Sequence, residues 1–123
     1  MSAKIALVVD DSHTMRNMVT LSLKEAQFEV IAASDGKEAL SVIDGKDLDV
    51  IITDINMPNM DGIELIKILR ANDNYKYTPI LVLTTEGGDD KKNEGKKAGA
   101  TGWIVKPFNP EVLMAAVKKV CGI

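Results

Sequence analysis

Five short apolar runs, Ile5–Val9, Phe28–Ala33, Val50–Thr53, Pro79–Leu83 and Gly102–Val105, recur along the chain with longer segments between them. Most of these runs are rich in β-branched residues and nearly continuous, which suits strands covered on both faces rather than strands with one wet face. The intervening segments have a different rhythm. After Ser12, residues Met15, Met18, Val19, Ser22, Leu23 and Ala26 recur at three- and four-residue spacing, the stripe of an amphipathic helix. Strand and helix therefore alternate five times. That pattern predicts βαβ units and a doubly wound α/β domain, a five-stranded parallel sheet with helices on both faces.

Helix starts are written into the sequence. Asp35 followed by Glu38 is a capping-box pattern ahead of Ala39, Leu40 and Ile43, and Asp61 followed by Glu64 repeats it before Leu65, Ile66 and Leu69. The last helix opens with Asn109 as cap and Pro110 at its first position, then offers Leu113, Ala116, Val117 and Val120 to the core. One interval breaks the pattern. Residues 86–97 read EGGDDKKNEGKK, with no apolar side chain, and its four acids and four lysines cancel. A helix there has nothing to bury before Ala98, and each of its glycines costs up to about 1 kcal/mol relative to alanine. The stretch admits two readings, a solvated fourth helix tied down at its ends or a frayed, mobile one.

Composition narrows the function classes. The 123 residues, 46 % of them apolar, suffice for one domain with a real core, so residues 1–123 are expected to form a single unit. A net charge of −3 without any basic block argues against a nucleic-acid partner. The single cysteine, Cys121, cannot form an intrachain disulfide and reads as a packing residue in the last helical turn. No segment approaches the ~18 apolar residues of a membrane span, and the N-terminus lacks the charge pattern of a secretory leader. A cytoplasmic, monomeric protein is expected.

Open α/β sheets bind ligands beyond the carboxyl ends of their strands. The first strand ends in Asp10 and Asp11, the third in Asp54, the fourth in Thr84 and the fifth in Lys106. Three carboxylates, a hydroxyl and an ammonium should thus share one rim. Carboxylates ~5 Å apart repel by roughly 3 kcal/mol per pair at an effective dielectric of 20, so one is protonated or a cation sits among them. An all-oxygen site without a cysteine or histidine cluster suits Mg²⁺, which commonly joins carboxylates to phosphoryl oxygens. Lys106 and Thr84 would complement the charge of a phosphoryl group in transfer, and a carboxylate can serve as nucleophile and form an acyl phosphate. Asp54, alone on a central strand, is the best nucleophile; the adjacent Asp10 and Asp11 are better placed to hold the cation. No GxxxxGK[ST] loop is present, so nucleotide binding is not indicated.

The set VVDDS, TDINMPNMDG, LVLTTE and GWIVKPF, in this order and spacing, resembles the receiver domain of two-component response regulators, and the resemblance spans essentially the whole chain. It implies the strand order 2-1-3-4-5 and a stand-alone receiver without an output domain. It further implies that Asp54 accepts a phosphoryl group from a histidine kinase, with Mg²⁺ bound by Asp11, Asp54 and the backbone carbonyl of Asn56, and by Asp10 through water. Lys106 would pair with the phosphoryl oxygens and precede a cis peptide at Pro107. Thr84 would turn toward the phosphoryl group and the aromatic residue at position 103 would follow it inward, a two-state switch. Asn56 and Glu86 fall at positions that tune dephosphorylation and meet auxiliary phosphatases. Met57, Pro58, Asp61 and Gly62 would shape the loop after Asp54, and His13 would be a surface residue facing the kinase.

The output face implied by the resemblance is the fourth helix, fifth strand and fifth helix, and its target in chemotaxis would be a flagellar motor switch protein. Two departures from the family pattern stand out. The switch position carries Trp103 where Tyr, Phe or His is usual, and a buried indole needs a partner for its N–H. The fourth helix is the glycine-rich stretch described above. A phosphorelay receiver outside chemotaxis is the alternative function. A Mg²⁺-dependent phosphohydrolase with a strand-end Asp nucleophile is the remote one, because it needs an acid two residues after that nucleophile, where this chain has Asn56.

Overall fold

The computed structural model describes residues 4–123. Five strands, β1 (Ile5–Val9), β2 (Glu29–Ala33), β3 (Val50–Thr53), β4 (Ile80–Thr84) and β5 (Gly102–Val105), alternate with five helices. The helices are α1 (His13–Glu25), α2 (Gly36–Val42), α3 (Gly62–Ala71), α4 (Asp89–Ala98) and α5 (Pro110–Cys121). All strand pairs are parallel, in the order β2-β1-β3-β4-β5. The doubly wound class and the implied strand order are both observed. Two strand edges shift by one residue: Phe28 is buried ahead of β2, and β4 begins after Pro79, which has no N–H to give to the ladder.

Strand pleating divides the core in two. Ala6 and Val8 of β1 face Val19 and Leu23 of α1 and Leu113 and Val117 of α5, whereas Leu7 and Val9 face Ile63, Leu65, Ile66 and Leu69 of α3 with Ala39 of α2. Each leucine or isoleucine buried in these layers stabilises the fold by about 1.5–3 kcal/mol. In the α1 stripe, Val19 and Leu23 are buried but Met18 is 42 % exposed. It lies one position off the line Met15–Val19–Leu23 that meets the sheet, so the expected stripe is broader than the buried one.

The anticipated caps form: Asp35 Oδ1 accepts the Glu38 amide at 2.9 Å, Asp61 Oδ1 that of Glu64 at 2.8 Å, and Asn109 Oδ1 that of Glu111 at 2.8 Å. Ser12 Oγ adds a cap to α1, accepting the Met15 amide at 3.2 Å. Residues 89–98 are helical, and residues 86–88 precede the helix. The helix is tied down at one end only. Gly88 at its N-terminus supplies no side-chain cap, whereas Gly99 closes it in the left-handed conformation, φ 117°. The carbonyl of Gly99 accepts Arg70 Nε at 3.0 Å, and Arg70 Nη1 also reaches the carbonyls of Tyr75 at 2.9 Å and Thr78 at 2.6 Å. One guanidinium thus joins α3, the α3–β4 turn and the end of α4. Glycine at position 95 serves packing as well, because it is buried against the Trp103 ring.

Candidate functional site

The carboxyl ends of β1, β3, β4 and β5 deliver the acids, the hydroxyl and the ammonium to one rim. Asp10, just after β1, and Asp54, just after β3, are buried, and Asp11 is exposed beside them. One carboxylate oxygen from each of the three lies within 4.8 Å of the others. The Lys106 ammonium sits between two of them, donating to Asp10 Oδ2 at 2.8 Å and Asp54 Oδ2 at 2.9 Å, with all three side chains at most 10 % exposed. The repulsion expected from the sequence is therefore met in part by a cation the chain itself carries.

The two buried acids are held differently. Asp54 turns Oδ1 back onto the amide of Ile55 at 2.6 Å and more weakly onto that of Asn56 at 3.4 Å, which leaves Oδ2 facing Lys106. Asp10 accepts the Ser12 amide on Oδ1 at 2.9 Å and the Lys106 ammonium on Oδ2. Burial pushes the Asp10 carboxyl above its ordinary value, and the Lys106 and Ser12 hydrogen bonds only partly offset it. Burial pulls the Lys106 ammonium down, but its bonds to Asp10 and Asp54 prevail and hold it above its ordinary value. Asp11 accepts no hydrogen bond among the described residues.

Thr84 closes β4 fully buried, its Oγ1 accepting the Glu86 amide at 3.3 Å. Glu86 links two further groups. Its carboxylate accepts Asn56 Nδ2 at 3.1 Å, and its carbonyl accepts the Trp103 indole N–H at 2.9 Å. The N–H partner that a tryptophan at position 103 requires is thus the backbone carbonyl of Glu86. Neither bond was legible in the sequence, because both span long separations between groups that each could have met water. The Lys106–Pro107 peptide is cis. His13 is exposed at the start of α1, and Cys121 is half-buried with its thiol toward the Asp49 carbonyl.

The chain matches the family described as the response regulator receiver domain over residues 6–118. It belongs to that family. Among curated relatives, it is 44 % identical over 118 residues to chemotaxis protein CheY1 of Helicobacter pylori, covering 94 % of this chain and 95 % of that one. Chemotaxis protein CheY of Pseudomonas aeruginosa is 38 % identical over 115 residues, covering 93 % of each chain. Among solved structures, chemotaxis response regulator CheY4 of Vibrio cholerae superimposes with a TM-score of 0.91 at 50 % identity, over 97 % of this receiver and 99 % of that chain. Receivers of this type are signalling switches in two-component systems rather than classical enzymes. The phosphohydrolase alternative is thereby set aside. No helix among the described residues is long and apolar enough to cross a membrane.

The contact between Gly95 and Trp103 makes a test of its own. A methyl group on Gly95 would press on Cζ3 of the indole and lie 3.0 Å from its Cε3. Gly95→Ala should therefore push the indole outward, with a red shift of tryptophan emission and a net cost of about 1 kcal/mol, the crowding being partly offset by alanine's better helix propensity. Unchanged emission would show that α4 moves away from the indole instead.

Proposed function

We propose that this receiver is a signalling switch in the cytoplasm, phosphorylated on Asp54 by a histidine kinase and thereby set to bind a protein target, in chemotaxis. The observation that carries the proposal is the buried Asp54 carboxylate with one oxygen fixed by the Ile55 amide and the other directed at Lys106. Its chemotaxis assignment is supported by full-length similarity to chemotaxis proteins. A flagellar motor switch protein is the target we assign by the same likeness.

In this account Oδ2 of Asp54 attacks the phosphorus of a phosphohistidine. The P–O bond forms, the P–N bond breaks, and the electron pair leaves with the imidazole. Lys106 exchanges its carboxylate partners for the phosphoryl oxygens, where its charge offsets theirs. The Thr84 hydroxyl, which accepts from the Glu86 amide through a lone pair, keeps its proton available for a phosphoryl oxygen. Turning that hydroxyl disturbs the Glu86 amide, and Glu86 holds the indole of Trp103 through its carbonyl. The switch is thus carried to α4 and β5, where Lys92, Lys96 and Trp103 line a cleft of about 150 Å³.

The oxygen donors of Asp10, Asp11 and Asp54, with no thiolate or imidazole among them, fit a hard divalent cation. Asp11, Asp54 and the Asn56 carbonyl would hold Mg²⁺, with Asp10 acting through water; bound there, the ion supplies positive charge to the phosphoryl oxygens. Asn56 and Glu86, joined to each other by a hydrogen bond, would govern the approach of water and of an auxiliary phosphatase. Incubation with Mg²⁺ and acetyl phosphate should add the mass of one phosphoryl group. A phosphoryl group recovered on any residue other than Asp54 would overturn the proposal.

A further inference from the structure

Arg16 stands where a helix least favours a cation. It lies in the first turn of α1, a turn with no acidic residue, and the helix dipole there disfavours positive charge. Its side chain reaches back toward the β1 end, and Nη1 donates to the backbone carbonyl of Asp10 at 2.7 Å. Nη2 meets Nδ1 of His13 at 3.3 Å, and the other ring nitrogen of His13 meets the Asn17 amide at 3.2 Å. Arg16 is half-buried, and its fork is therefore held in one orientation from two sides.

The carbonyl it grips belongs to the peptide joining Asp10 to Asp11. Every other polar atom of Asp10 is already engaged: its amide donates to the Ala33 carbonyl at 3.1 Å, Oδ1 accepts from Ser12 and Oδ2 from Lys106. Asp11 has no such restraints on its side chain, and the plane of that peptide decides where its carboxylate is presented. We infer that Arg16 is a positioning residue for the cation site, fixing the Asp10–Asp11 peptide so that the exposed Asp11 carboxylate stays with Asp10 and Asp54. The inference rests on the proposed Mg²⁺-dependent reading of the site. It assigns to a cation the role of strengthening cation binding, and that separates it from a simple charge effect.

Mg²⁺ titration by calorimetry on the wild type, Arg16→Lys and Arg16→Met tests it, with unfolding followed in EDTA as a check on the fold. A positioning role predicts that both variants bind Mg²⁺ about tenfold more weakly, the lysine because a point charge cannot span the Asp10 carbonyl and His13 together. Their unfolding in EDTA should move much less than their unfolding in saturating Mg²⁺. If charge alone matters, Arg16→Met binds Mg²⁺ more tightly and Arg16→Lys binds like wild type, and that result overturns the inference. Wild-type protein that takes up no Mg²⁺ would instead overturn the reading of the site, and this inference with it.

Discussion

Gly62→Ala is expected to lower the stability of the receiver by about 3 kcal/mol and to abolish phosphorylation of what remains folded. Gly62 begins α3 with the backbone after Asp54 directly beneath it. Its amide donates to the Ile55 carbonyl at 2.9 Å, and an added Cβ would collide with the Asp54 carbonyl oxygen and lie 2.9 Å from Ile55 Cα. Neither neighbour is a side chain that can rotate away. Relief requires moving α3 or moving the segment that carries Asp54, and either one displaces Oδ1 from the Ile55 amide that orients the carboxylate. Thermal unfolding should report a midpoint lower by roughly 10 °C. A variant with wild-type stability and wild-type phosphorylation would show that the loop after β3 is looser than the 2.6 Å bond implies.

Removing the ammonium has an effect of similar size for a different reason. In Lys106→Met, Asp10 and Asp54 stay buried and lose the one group that donates to both. Breaking a buried ion pair by deleting one partner costs about 3–5 kcal/mol, and at neutral pH in EDTA the loss should approach that range. The loss depends on pH in a definite direction. Burial already raises the Asp10 carboxyl, and Lys106 is the strongest of the groups opposing the rise, so its removal raises that carboxyl further. A folded-state value above the unfolded one means the folded chain binds more protons, and stability increases as pH falls from the raised value toward the ordinary 3.8. The deficit of the variant should therefore shrink on acidification, and adding Asp10→Asn should recover much of it at neutral pH. Phosphorylation should slow by about 100-fold, the usual consequence of losing one donor to a developing oxyanion. A deficit that grows on acidification would contradict this assignment of charge.

Much of this was legible in the sequence because the features in question are local. The strand cores, the Asp35, Asp61 and Asn109 caps and the strand-end acids each depend on a few consecutive residues, and strand ends in a parallel sheet converge whatever the side chains do. What stayed hidden depends on distance in the chain. Arg70 joins α3 to the Gly99 carbonyl, and Glu86 joins Asn56 to the Trp103 indole; no periodicity encodes either contact. The sequence of α4 pointed two ways for a physical reason. It has almost no apolar face of its own, and the features that attach it to the domain are the close approach of Gly95 to Trp103 and the Gly99 closure. Arg16 could have been suspected, since a cation in a first helical turn needs a partner that outweighs the dipole.

Trp103 is the only tryptophan, so its fluorescence reports the link between Asp54 and the α4–β5 face without a label. Wild type and Asp54→Asn should be compared in Mg²⁺ as beryllofluoride, a phosphoryl mimic, is added. The account predicts a saturable change in emission for the wild type and none for Asp54→Asn. An equal change in both proteins would contradict it, because the signal would then reach Trp103 without the carboxylate that is held to receive it.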